Sequence, residues 1–71
     1  MLDNKQLWDK ALATIEAELS KANFCTWFKH TFISKQDDGA IYLSVPNNFV
    51  RDWLQNKYHK LILRSLREQD P

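Results

Sequence analysis

Pro46-Asn47-Asn48-Phe49-Val50-Arg51-Asp52-Trp53-Leu54-Gln55-Asn56-Lys57-Tyr58 is the stretch whose reading decides the fold. Pro46 has no N–H to give to a strand ladder and biases Val45 towards extended backbone, so a strand ends here. Asn47 follows, with a side-chain oxygen suited to the free N–H groups of a new helical turn. From Asn48 onward there is no Gly or Pro before Pro71, which predicts one long helix running to about Glu68. At 100° per residue, Val50, Leu54, Tyr58, Leu61, Ile62 and Ser65 share one side of that helix. Phe49 and Trp53 fall off this stripe. They lie nearer to Lys57, Lys60, Arg64 and Arg67, whose 3-4-3 spacing puts them on one face. Either the helix is buried on two sides, or it presents aromatic anchors with a charged flank. The usual burial of Trp favours the core for Trp53. Phe49, in the first turn, is expected to be exposed.

Working outward, 71 residues make one domain, spanning 1–71, with a small core. Three Trp and four Phe are an ample aromatic supply, which argues against disorder. The apolar runs are too short to span a membrane, and no charged-then-apolar leader marks a signal peptide. The single Cys25 has no internal disulfide partner, which suits a reducing compartment and a cytoplasmic location. A net charge of +1 gives little long-range attraction for a polyanion. Charge is instead local: Asn48–Glu68 carries Arg51, Lys57, Lys60, Arg64 and Arg67 against Asp52 and Glu68.

Towards the N-terminus, Asp3 or Asn4 caps a first helix. Its stripe is Trp8, Leu12, Ile15 and Leu19, with Ala11 beside them and Leu7 to the side, partly exposed. Ser20 caps a second, short helix from Lys21 to about His30, with Phe24, Trp27 and Phe28 on one face and Asn23, Cys25 and Thr26 pointing elsewhere. Thr31–Lys35 alternates weakly as a strand. Gln36-Asp37-Asp38-Gly39 is a turn with the Asp-Gly hairpin signal. Ala40–Val45 alternates, with Ile41, Leu43 and Val45 inward and Tyr42 and Ser44 outward. The predicted class is α+β in the order helix, helix, strand, strand, helix. A two-stranded hairpin is barely stable alone, so it must lie against a helix.

Little here suggests catalysis. Cys25 and His30 are five apart without an acidic partner, and one Cys with two His is no zinc set. Gly39 is the only glycine, so there is no phosphate-cradling loop and no GXXG clamp. No pocket-sized volume is expected in so small a domain. The expectation is a protein that is not an enzyme and holds no cofactor and no metal.

Three motifs together carry a resemblance. They are L-W-x(3)-L at Leu7, Trp8 and Leu12, F-x-x-W at Phe24 and Trp27, and P-N-x-F-x-x-D-W with a later K-Y at Pro46, Asn47, Phe49, Asp52, Trp53, Lys57 and Tyr58. In order and spacing, over nearly the whole chain, they resemble the N-terminal domain of DnaA, the bacterial chromosomal replication initiator family. The resemblance implies a KH-like α/β fold whose final strand, after the long helix, is missing from this chain. It implies an interaction hub that self-associates, contacts the replicative helicase and receives regulatory proteins, with weak single-stranded DNA contact. By position, Trp8 matches the self-association residue, with Leu7 beside it. Trp27, Asn47 and Phe49 match the partner-binding patch, to which Asn23, Thr26 and Val50 are added, and Phe49 matches the helicase contact. The acidic residue often found beside the Phe of F-x-x-W is absent, its neighbours being Asn23 and Cys25. The helical wheel buries Trp8 while the resemblance places it between molecules. Both hold if the first turn overhangs, leaving Trp8 on the core stripe yet open. The alternative function is a single-strand-binding module along Lys57, Lys60, Arg64 and Arg67, with Phe49 or Trp53 as a stacking platform.

Overall fold

A computed structural model describes residues 2–69. The elements are α1 (Asn4–Glu18), α2 (Lys21–Phe28), β1 (Phe32–Asp37), β2 (Ala40–Ser44), α3 (Asn48–Lys57) and α4 (His59–Gln69). The α+β class and the order of the first five elements are as the sequence predicts. Pro71, the expected stop for the last helix, lies outside the described residues.

Asp3 is the α1 cap, and it forms a reciprocal box. Its carboxylate accepts from the Gln6 N–H at 2.8 Å, while the Gln6 side chain accepts from the Asp3 N–H at 3.2 Å. Trp8, Ala11 and Ile15 are buried along the expected stripe. Leu7 corrects the reading: it is only 7% exposed. The reason is that α1 packs on α4 along one flank and on β1 along the other, so its buried arc is wider than one stripe. Each large side chain buried this way contributes on the order of 1.5–3 kcal/mol.

The Ser20 hydroxyl caps α2 by accepting from the Asn23 N–H at 3.2 Å. The helix ends at Phe28, two residues earlier than expected, and delivers a fully buried ring that stacks on Phe24 at 5.9 Å.

The hairpin turn is tighter than Gln36–Gly39. Asp37 already pairs with Ala40, so Asp38 and Gly39 alone turn the chain, both at positive φ. That is the backbone an Asp-Gly pair supports in a two-residue hairpin. The weak alternation of the first strand also has a cause. The register slips between Ile33 and Lys35, so Ser34 is a bulge, and its hydroxyl donates to the Tyr42 carbonyl at 3.0 Å. Ile33 points into the core while Phe32 stays exposed. The sheet rests on α1 through β1, and the Gln36 side-chain amide donates to Asn4 Oδ1 at 2.7 Å. No helix packs on β2. Leu43 and Val45 are therefore only half-buried, and Ile41, expected inward, is exposed. Among the described residues the sheet has two strands.

The single long helix is the main correction. The chain breaks at Tyr58 (φ −111°, ψ 8°) without Gly or Pro. Hydrogen bonding persists on both sides: the Tyr58 N–H donates to the Leu54 carbonyl at 3.1 Å, and the Ile62 N–H donates to the Tyr58 carbonyl at 2.9 Å. Packing explains the bend. The buried Tyr58 ring meets Phe28 edge-on at 5.5 Å, and beyond it the two helices serve different neighbours, α3 lying against α2 and α4 against α1. The stripe read across the break still holds, with Val50, Leu54, Tyr58 and Ser65 buried and Leu61 and Ile62 half-buried.

Candidate functional site

The α3 cap fixes the site. The Asn47 Oδ1 accepts from the Val50 N–H at 2.9 Å, which sets the first turn and the direction of Phe49. Val50 and Leu54 turn inward, so Phe49 and Trp53, four residues apart, come out on the side that faces α2. There Trp53 stacks on Trp27, with ring centroids 4.8 Å apart and planes 12° from parallel. Phe49 meets the same Trp27 at 5.5 Å and 52°. On the next turn Lys57 places its ammonium 5.1 Å from the Trp53 ring centre. The result is an aromatic cluster bridging two helices, with a cation at one end.

Its exposure decides between the two sequence readings. Phe49 is 68% exposed, as expected for a first-turn residue. Trp53 is 36% exposed, which corrects its placement in the core. One face of its indole is covered by Trp27 rather than by the aliphatic interior, since α3 turns its own aliphatic residues inward. The stack itself is the feature that sequence reasoning missed. Its signal was present in Trp53, which sits off the apolar stripe, but pairing it with Trp27 requires the angle between α2 and α3.

Asn23 and Thr26 are exposed on α2, and the Thr26 hydroxyl donates back to the Ala22 carbonyl at 2.7 Å. Val50, placed in the partner-binding set, is buried against the core and offers no surface. Leu7 and Trp8, the self-association pair, are covered too. Trp8 is 2% exposed, and its indole N–H donates at 3.0 Å to the Thr31 hydroxyl, which in turn donates to the Phe28 carbonyl at 2.6 Å. The overhanging first turn that would have left Trp8 open is therefore corrected. The indole needs a partner for its N–H once buried, and buried Thr31 supplies it.

The basic stripe is divided. Lys57, Lys60, Arg64 and Arg67 are all exposed, but the break at Tyr58 takes Lys57 out of the helix that carries the others. Lys57 belongs to the aromatic cluster, and Arg64 is ion-paired to Glu18 of α1. The hydrogen bond to Glu18, then its charge, raises the Arg64 pKa above its ordinary value. Lys60 and Arg67 alone remain of the four.

The expectation of no pocket-sized volume is also corrected. An open groove of about 1220 Å³ runs between the hairpin and the last two helices, lined by Ile41, Leu43, Val45, Gln55, Ile62 and Leu63 among others. It exists because no helix covers β2. No helix among the described residues is long and apolar enough to cross a membrane.

The capped α3, the F-x-x-W helix beneath it and the hairpin between them are thus parts of one arrangement. The family model of the DnaA N-terminal domain matches residues 5–68, and so takes in all six elements but the outermost residue at either end. The chain belongs to the DnaA N-terminal domain family, the domain of a replication initiator.

Proposed function

We propose that this domain is a protein-interaction module, not an enzyme, that works in the cytoplasm and recruits the replicative helicase and regulatory proteins through the Trp27–Phe49–Trp53 cluster. The observation that carries this is Phe49: a large aromatic side chain, 68% exposed, on a capped and therefore rigid first turn. Little side-chain freedom is lost when a partner covers it. Trp27 and Trp53 supply a stacked base, and Asn23, Thr26 and Asn47 a polar rim. Self-association belongs to the same reading, with Trp8 supporting the α1 surface from within rather than touching a second copy. Single-strand binding along the last helix loses ground, because Arg64 is committed to Glu18 and Lys57 to Trp53.

The test is a titration of the replicative helicase with the wild type and Phe49→Ala, with thermal melting of both. Truncation of a hot spot costs roughly 2 kcal/mol of binding, or about thirtyfold in affinity. The melt should barely move, because exposed substitutions stay within about 0.5 kcal/mol. A folded variant with undiminished binding removes the proposal.

A further inference from the structure

Phe49, Trp53 and Lys57 lie at i, i+4 and i+8 on α3, so they form a ridge about 12 Å long on one side of the helix. The ridge ends on a charge. Of the three charged side chains of α3, Arg51 and Asp52 are paired with each other at 3.2 Å, while Lys57 makes no ion pair among the described residues. Its ammonium is held beside the Trp53 ring instead. At the other end, Asn47 has already used its side-chain oxygen on the Val50 N–H, so the amide group left over is a donor. Both ends of the ridge therefore donate and neither accepts. A partner that matches it must bring acceptors.

Building on the interaction reading above, we propose that the ridge selects an acidic partner segment, one that seats an apolar side chain on Phe49 and Trp53 and sets a carboxylate on Lys57. The carboxylate gains a charge-assisted hydrogen bond from the ammonium. Covering the Trp53 edge removes water from the same ammonium, which strengthens its attraction to both the ring and the acid. A nucleic-acid strand is the poorer match. It offers a line of phosphates, and the ridge has one uncommitted cation to meet them.

The experiment measures the affinity of the full chain for the replicative helicase at low and at physiological ionic strength, for wild type, Lys57→Gln, Lys57→Arg, Lys57→Glu and Phe49→Ala. Circular dichroism confirms that each variant is folded, and oligo-dT is titrated alongside. Lys57→Gln should weaken helicase binding about fivefold at low salt and flatten its salt dependence. Lys57→Arg should retain both, and Lys57→Glu should bind more weakly than Lys57→Gln. If Lys57 serves only as the basic residue at the α3 C-terminus, Lys57→Gln lowers the melting temperature and leaves the salt dependence of binding alone; that outcome overturns the proposal. So does a folded Lys57→Glu variant that binds like wild type while Phe49→Ala loses affinity, though the interaction reading then stands. If Phe49→Ala also binds like wild type, both fall. Tighter binding to oligo-dT than to the helicase, lost in Lys57→Gln, overturns the acidic partner in favour of a strand.

Discussion

α3 and α4 follow one another with a single residue between them, yet they solve opposite problems. α4 lies along α1, and its contact side comes down to a small residue: Ser65 is fully buried where the two helices press together. α3 touches α2 more sparingly and turns its largest side chains outward, so that Phe49 and Trp53 cover Trp27 instead of the interior. One half of the C-terminal region is thus used for holding the domain together and the other for display. A stripe of aliphatic residues continues through both halves. What differs is the second face, aromatic on α3 and charged on α4.

The largest effect expected is on the holding side. Trp8→Ala empties a site at the α1–β1 contact and removes the donor that satisfies the Thr31 hydroxyl. A loss of about 3–5 kcal/mol follows. A domain of this length has only on the order of 4–10 kcal/mol in all. Urea unfolding should show a large fall in midpoint. A variant that keeps its midpoint but loses concentration-dependent sedimentation would put Trp8 at an interface and break the division drawn here.

Trp53→Ala tests the display side. It removes a half-exposed ring and its stack on Trp27, the latter alone contributing about 0.5–1.5 kcal/mol. The total should stay well below that of Trp8→Ala, and Trp27 fluorescence should shift as its covered face opens. A loss as large as that of Trp8→Ala would mean that α3 is as much a core helix as α4.

That contrast also shows what could be read from the residues alone. The caps at Asp3, Ser20 and Asn47, the Asp-Gly turn and the aliphatic stripes are local patterns, and local patterns survive folding unchanged. The break at Tyr58 is not local. No Gly or Pro marks it, and it follows from Phe28 and from the separate neighbours of α3 and α4. Leu7 was misread for the same reason, since its burial depends on two elements flanking α1 at once. At the site, Phe49 was legible because a first-turn aromatic off the stripe has few places to go. Trp53 was not, because a stack between helices distant in sequence leaves no mark on either. The division of the basic stripe likewise needed the position of Glu18.

A smaller effect, of opposite sign, sharpens the account of α4. The Ser65 hydroxyl is buried without a hydrogen-bond partner among the described residues. An unpaired buried polar group costs about 1–3 kcal/mol, and Ala fits the same close approach without that cost. Ser65→Ala should therefore stabilise the domain by about 1 kcal/mol, raising the melting temperature by roughly 4–8 °C for a domain of this size. Ser65→Val, which forces α4 away from α1, should lower it. If Ser65→Ala destabilises instead, the hydroxyl is bonded within α4, and the tight crossing depends on that bond.

The smallest effect is expected where α4 meets α1 at the surface. Arg64 and Glu18 form an ion pair there, with both side chains about half exposed to water. Water screens the attraction, and holding two long side chains in one geometry costs rotamer freedom, so such pairs often contribute nothing measurable. The pair nonetheless bridges the helices whose packing carries most of the fold, and it looks on paper like a clamp. Arg64→Gln separates the two possibilities. The variant should melt with the wild type, and the melting temperature of the wild type should hardly respond to added salt. A clear fall for Arg64→Gln, matched by salt sensitivity of the wild type, would mean that charge rather than the close approach at Ser65 holds α4 to α1. Because Arg64 stands apart from the Phe49–Trp53–Lys57 ridge, the same variant should bind the helicase as the wild type does. A loss of binding there would extend the display surface onto α4 and undo the separation of the two helices.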